Sequence, residues 1–295
     1  MNTIVLAYSG GFASSTAIHW IAETRGAEVV TVTLDVGQGE DLGPIRARAL
    51  SYGATRAHAI DARDELVREF LLPSLARGPL DEGPLIGEFT RPVIARKLLE
   101  VARIEGTSAV AHASRDESID AAIRALDPRL TILAAAREWQ MDEQQLGDYA
   151  RACGIPSRRP PDPDCRIEES LWGRMISFHD VHGRPEGTHR QAIAKPAESA
   201  HLAIRFEAGV PVSINDVPMP PVELIESLAL IAGRYGVGRL ESSRNGRTIV
   251  YDAPAAMVLH TARAALAERS GVVHLSVLNG GCTVLDPDTV VGNLA

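Results

Sequence analysis

The sequence predicts an α/β chain in two parts: a parallel sheet covered by helices on both faces, followed by a smaller α+β domain. Three observations carry this expectation. From residue 3 to about 155, short continuous apolar runs alternate with amphipathic helical patterns, as expected of parallel strands buried on both faces. Around residues 156–200 the alternation stops, with Pro156, Pro160, Pro161 and Pro163 crowding one stretch, which reads as a linker or surface excursion. From His201 a second pattern of hairpin, helix and strand begins. The expected divisions are therefore 1–155, 156–200 and 201–295.

The elements follow in order. The run Ile4-Val5-Leu6-Ala7 ends in Tyr8-Ser9-Gly10-Gly11, and a helix is expected from Ser14 to about Thr24. The β-branched run 29–34 closes with Asp35-Val36-Gly37-Gln38-Gly39. A helix at 42–52, a strand at 56–60 and helices at 62–76 and 92–106 come next. Strand 108–111, helix 120–126, strand 130–133 and helix 143–153 complete the first part. In the second, strands 202–207 and 211–214 flank the hairpin signal Ala208-Gly209. Helix 222–235, strands 239–243 and 247–251, helix 255–268 and strands 272–278 and 282–285 follow. In a parallel sheet of this kind, ligands sit at the carboxyl ends of the strands.

Composition narrows the function. Of the 295 residues, 45% are hydrophobic and 4% aromatic, so the core is aliphatic. A formal charge of -8 without a basic stripe argues against nucleic-acid and membrane-surface binding. No apolar run of spanning length and no secretory-type start is present, which reads as a cytoplasmic protein. Cys153, Cys165 and Cys282 are widely spaced and suggest neither a disulfide framework nor a zinc site. His179 and His182 are close in sequence but have no evident third ligand, so surface histidines are the plainer reading.

The most informative segment is Ser9-Gly10-Gly11-Phe12-Ala13-Ser14-Ser15. Two glycines allow a tight turn whose N–H groups approach an anion, the serines add hydroxyls, and a helix N-terminus adds its dipole. The Gly-Lys-Ser/Thr ending of a Walker A loop is absent. On its own the segment reads equally as a serine-rich strand-to-helix turn.

Its context resolves that ambiguity. Ala7-Tyr8-Ser9-Gly10-Gly11 resembles the pyrophosphate loop of the N-type ATP pyrophosphatases. Within them, the segments 34–42, 46–50, Arg91-Pro92-Val93-Ile94-Ala95-Arg96-Lys97, 167–174, 206–212, 235–239 and 273–280 resemble the argininosuccinate synthase family in order along nearly the whole chain. The resemblance implies an adenine nucleotide alpha hydrolase-like (HUP) domain followed by a synthetase-like α+β domain. It implies a reaction in which ATP adenylates an acceptor oxygen, pyrophosphate leaves and an amine displaces AMP. The cofactors implied are ATP and the Mg²⁺ that accompanies it. Ala7, Tyr8, Ser9, Gly10, Gly11, Ser14, Ser15 and Leu34 would hold ATP or pyrophosphate, with backbone at Leu34 against adenine. Arg91, Arg115, Asp120, Arg166, Arg244 and Tyr251 are the candidate substrate contacts. For Arg91, Arg96 and Lys97 the alternative is a solvated basic face, and for Asp120 an acidic first-turn residue. His112, after a strand end, reads as a cap.

The chain also departs from that family. Ala13 stands where the phosphate loop carries Asp, and Ala113–Asp120 replaces a Gly-rich segment, keeping only Asp120. The citrulline-facing positions read Pro84, Phe89, Arg166, Met175 and Arg244; only Tyr251 matches. Citrulline is therefore not the expected substrate, and Arg166 with Arg244 suggests a small molecule bearing an extra anionic group. The alternative is a degenerate, non-catalytic homologue that binds a nucleotide, metabolite or protein partner. The family assembles as a homo-oligomer through a long C-terminal helix that has no counterpart up to Ala295, which leaves a homo-oligomer of this chain open.

Overall fold

The computed structural model describes residues 2–77, 86–156, 165–185 and 196–286. These form two compact units, residues 1–62 with 90–159 and residues 63–89 with 160–295.

In the first unit, β1 (Asn2–Ala7), β2 (Ala27–Asp35), β3 (Arg56–Asp61), β4 (Ala109–His112) and β5 (Thr131–Ala134) form one parallel sheet in the order β3-β2-β1-β4-β5. The period-two geometry of a strand divides its apolar run between two faces. Ile4 and Leu6 pack with Ile18 and Ile21 of α1 (Phe12–Arg25) and with Ile45 and Ala49 of α2 (Leu42–Ser51). Val5, Val30, Val32 and Val110 pack on the other face with Ala95 and Leu98 of α5 (Ile86–Ile104) and Ile123 of α6 (Ser118–Leu126). A short α7 (Ala135–Glu138) and α8 (Glu143–Ala152) complete this unit. Asp142 and Gln145 close a capping box at the start of α8, satisfying two N–H groups that a helix leaves open.

The expected helix 62–76 is broken in the structure. It runs as α3 (Arg63–Leu66), a π-helical turn at Val67–Leu71, α4 (Leu72–Ser74) and a 3-10 turn at Leu75–Arg77. Pro73 explains the break: it has no N–H, and its ring crowds the carbonyl four residues back. The wider π turn accommodates it, with Leu72 N–H donating to the Val67 carbonyl. The helix expected to start at Pro92 begins at Ile86 instead, so the proline lies inside it.

The second unit holds two antiparallel sheets. One, ordered β10-β9-β8-β13-β14, consists of β8 (Ala200–Glu207), β9 (Val210–Ile214), β10 (Val217–Pro218), β13 (Gly271–Leu278) and β14 (Gly281–Val284). Ala208 and Gly209 both have positive φ, 51° and 87°, as a two-residue hairpin turn requires. The other sheet is ordered β11-β12-β7-β6, from β6 (Arg166–Ser170), β7 (Gly173–His179), β11 (Arg239–Arg244) and β12 (Arg247–Asp252). Helices α9 (Pro221–Arg234) and α10 (Pro254–Ala265) pack on each other and bury Leu224, Leu228, Val258 and Leu259.

Strands β6 and β7 fall where the sequence suggests a linker. Strand β7 buries Ile176, Ser177 and Phe178 in succession, and charged residues in β6 mask the strand pattern. The remaining parts of that stretch, 157–164 and 186–195, lie outside the described residues, as does Pro84. Among the described residues no helix is long and apolar enough to cross a membrane.

Candidate functional site

Strand order locates the site. The chain runs β1, β2, β3 to one side, then returns to place β4 and β5 on the other, so direction reverses between β1 and β4. Leu6 pairs with Ala111, and the loops leaving both strands at their carboxyl ends emerge side by side. That is where a parallel sheet opens a ligand crevice.

The loop after β1 is shaped for close approach. Gly10 has φ 75°, and a Cβ there would lie 2.9 Å from Nη2 of Arg48 and 3.0 Å from Cγ2 of Ile45. Gly11 is the N-cap of α1, and no side chain caps it. A helix leaves its first N–H groups without intrahelical partners, and here they open at the mouth of the crevice. The three serines differ in role. Ser15 is buried and shares a 3.0 Å hydrogen bond with the Tyr8 hydroxyl, so this pair braces the loop from beneath. The Ser14 hydroxyl donates to the Gly11 carbonyl at 3.1 Å and lies 3.2 Å from the Ser9 hydroxyl. Ser9 is exposed and accepts, weakly, from Gly11 N–H. Burial pushes the Tyr8 phenol up, partly offset by its Ser15 hydrogen bond and by the Arg48 charge. Ala7 is the last residue of β1, and its backbone pairs with Val32.

At the end of β2 a single amide sets the turn. Gln38 Nε2 donates to the Leu34 carbonyl at 2.8 Å, and Gln38 Oε1 accepts from Val36 N–H at 2.8 Å. Asp35 Oδ1 accepts from Gly37 N–H at 2.8 Å. The Leu34 carbonyl thus keeps one lone pair for another donor, while its side chain packs against the core.

The loop after β4 is organised by a buried triad. His112 Nδ1 accepts from Ser114 N–H at 3.2 Å, which leaves Nε2–H to donate to Asp120 Oδ2 at 3.1 Å. Arg137 Nη2 donates to the other Asp120 oxygen at 2.7 Å, and its Nη1 reaches the Asp116 carbonyl. Asp120 is the acidic residue in the first turn of α6, as one of the two sequence readings has it. It is buried, with both oxygens engaged by protein donors. Arg91 lies 3.6 Å from Asp116 and ties α5 to the same loop. Arg115 is exposed with no side-chain partner among the described residues.

This triad has a pH signature. Burial lowers the His112 pKa, against the raising influence of Asp120, below its ordinary value of 6.5. The unfolded chain therefore binds more protons than the folded one as pH falls below that value, and stability drops. Burial pushes the Asp120 carboxyl up, but the Arg137 hydrogen bond and the His112 and Arg137 charges together hold it below its ordinary 3.8, which adds a second loss at lower pH. Thermal denaturation should show Tm falling between about pH 7 and 5, with a flatter profile for His112→Asn in that window. An unchanged slope in the variant would remove His112 as the cause.

The remaining candidates lie in the second unit. Cross-strand register runs Arg166–Ser177–Ile249–Ser242, with Arg244 two residues beyond Ser242 on the same strand. Arg166 and Arg244 therefore share a face of the four-stranded sheet but sit on its opposite edge strands. Three strand spacings, about 14 Å, separate those edges. Joint contact with one anionic group would require both side chains to lean inward across that face. Arg244 closes the Asn245-Gly246 turn, exposed. Glu241, on the same strand, accepts from Arg184. Tyr251 is partly buried in the middle of the same face, and burial raises its pKa beside the Glu168 charge. Glu168 itself seats against Gly87 at the start of α5.

Gln38, His112, Arg48 and Arg137 shape the site although none is among the site residues that the sequence suggests; Arg48 lies in the segment 46–50 that carries part of the family resemblance. The signal for Arg48 is its (i, i+3) spacing from the buried Ile45, which puts both on the face of α2 turned toward the loop.

Comparison with known proteins agrees with this layout. Residues 3–156 match the family model for the arginosuccinate synthase N-terminal HUP domain, and residues 179–273 match that for the arginosuccinate synthase C-terminal domain. An argininosuccinate synthase of Bacillus velezensis is 39% identical over 279 residues, covering 88% of this chain and 69% of its own length. One from Bacillus thuringiensis strain Al Hakam is 36% identical over the same coverage. Two family models in chain order, and relatives at this identity across most of the sequence, lead to one conclusion: the chain belongs to the argininosuccinate synthase family.

Proposed function

We propose that the chain is an ATP-dependent, AMP-forming ligase of the argininosuccinate synthase type whose acceptor is not citrulline. The observation that carries this reading is the Gly10-Gly11 turn at the β1/β4 reversal, where the uncapped start of α1 and the exposed Ser9 hydroxyl converge. Such a cradle suits the pyrophosphate of ATP. In the proposed reaction an acceptor oxygen attacks the α-phosphorus, pyrophosphate departs still held by the loop, and an amine then displaces AMP. The chain's part is to orient the phosphates and to stabilise the charge that builds on the leaving group. Magnesium would arrive with the nucleotide, since Ala13 gives the loop no carboxylate and no group of three or more potential ligands occurs among the described residues.

A second reading, binding without turnover, is favoured by two features: Ala13, and the engagement of Asp120 by His112 and Arg137. One set of measurements separates the two. Calorimetric titration with MgATP and with pyrophosphate should give saturable heats, and amino-acid or carboxylate acceptors should release pyrophosphate from ATP. Heat without pyrophosphate release across an acceptor panel supports the binding reading; no heat with any nucleotide or pyrophosphate sinks both.

A further inference from the structure

We infer that Arg48 is a phosphate-contacting residue of this site, its guanidinium forming the cationic wall over the Gly10 turn. The inference rests on the nucleotide reading above and adds a residue to it.

Four observations lead there. First, Arg48 Nη2 stands 2.9 Å from the place a Cβ would occupy on Gly10, so the guanidinium lies directly over the loop. Second, the direction of the side chain follows from helix geometry. Arg48 is in the last turn of α2, but side chains on a helix tilt toward its N-terminus, and α2 begins just beyond the carboxyl end of β2. Arg48 therefore reaches back toward the crevice, in line with Ile45, whose Cγ2 meets the same Gly10 position at 3.0 Å.

Third, this cation has no carboxylate partner among the described residues, in a chain whose formal charge is -8. Its neighbours on α2 and nearby are committed: Arg46 Nε donates to the Ala57 carbonyl, and Arg56 pairs with Glu105. Of the carboxylates that flank α2, Asp41 accepts from Gly43 N–H and Asp35 from Gly37 N–H, while Glu40 is exposed and forms no ion pair with Arg48. The Arg48 charge acts on the Tyr8 phenol beneath the loop. Fourth, Ala13 places no carboxylate in the first turn of α1, so the Arg48 charge at the loop is not neutralised from that side. A planar guanidinium with free N–H donors beside exposed backbone N–H groups and a serine hydroxyl is the chemistry that takes phosphate oxygens. The wall also explains why the loop needs glycine at position 10 in particular, since any side chain there would displace the guanidinium.

The test is calorimetric titration of the full chain with inorganic pyrophosphate and with MgATP, in wild type, Arg48→Gln, Arg48→Lys and Arg46→Ala. Arg48→Gln keeps a polar side chain with part of the aliphatic stem, and a thermal melt close to wild type shows that the fold is intact. Affinity for pyrophosphate should fall roughly ten- to a hundredfold in Arg48→Gln. It should fall less in Arg48→Lys, which keeps the charge but loses the fork, and change by less than about twofold in Arg46→Ala. If Arg48→Gln binds as wild type does, Arg48 is no contact, although the nucleotide reading survives. If Arg46→Ala and Arg48→Gln weaken binding equally, the effect is one of net charge and the contact is overturned. If wild type itself binds neither pyrophosphate nor MgATP, the nucleotide reading fails and the Arg48 assignment fails with it.

Discussion

Gly10→Val should abolish pyrophosphate binding, with a loss of at least about a hundredfold on both steric and backbone grounds. The φ of 75° at Gly10 is a conformation that β-branched residues scarcely adopt. The new Cβ would also crowd Arg48 at 2.9 Å and Ile45 at 3.0 Å. Ile45 is buried in the core, so it cannot yield freely, and the guanidinium would be pushed off the loop. Gly11→Ala is the informative contrast. Its φ of -77° is open to any residue, and the added methyl meets only Ser9 Oγ at 3.4 Å. Titration of both variants with pyrophosphate, beside thermal melts, should show Gly11→Ala folded and much less impaired. Equal binding by Gly10→Val and wild type would mean that the anion does not use this turn.

The second large effect concerns the family's own substrates. Pyrophosphate release that depends on both citrulline and aspartate should be absent, at least about ten-thousandfold below the roughly 10 s⁻¹ usual for an enzyme. The family resemblance puts Phe89, Arg166, Met175 and Arg244 at the positions expected to face citrulline, where it implies polar or acidic partners. Removing polar partners and reversing a charge each weaken recognition, and their effects compound across one ligand. In the structure Arg244 is an exposed turn residue and Asp120 is turned inward, so neither offers a carboxylate to an ammonium group. A coupled pyrophosphate assay with citrulline and aspartate, each omitted in turn, decides the matter; turnover at ordinary metabolic rates would restore citrulline as the acceptor.

Most of the fold is legible in the sequence because its strands are uninterrupted apolar runs. Val29-Val30-Thr31-Val32-Thr33-Leu34 has no competing helical reading, and Gly10-Gly11 and Ala208-Gly209 mark turns that only small residues make. Legibility fails where a local pattern depends on a distant partner. Strand β6 carries Glu168 and Glu169, so it shows no apolar alternation and owes its existence to pairing with β7. The π turn at Val67–Leu71 arises from a proline two residues downstream, which a periodicity reading does not resolve. At the site, the glycine-serine loop is visible because its chemistry is contiguous. The Arg48 wall and the Asp120 triad are not, since each joins residues from separate elements. For Arg166 and Arg244 a family position gives a residue type, whereas strand order sets how far apart the two stand.

The unit boundary at residues 63–89 bears on how the molecule is made. This stretch belongs with residues 160–295, although residues 90–159 are synthesised before them. Leu66, Val67 and Leu71, all fully buried in the finished chain, thus leave the ribosome well ahead of α9 and α10, against which α3 and the 75–77 turn pack. The parallel sheet can close first, because all five of its strands are in hand by residue 134. Until the C-terminal half arrives, Leu66, Val67 and Leu71 lack the helices that this stretch packs against, and exposed apolar surface of this kind favours self-association in nascent chains.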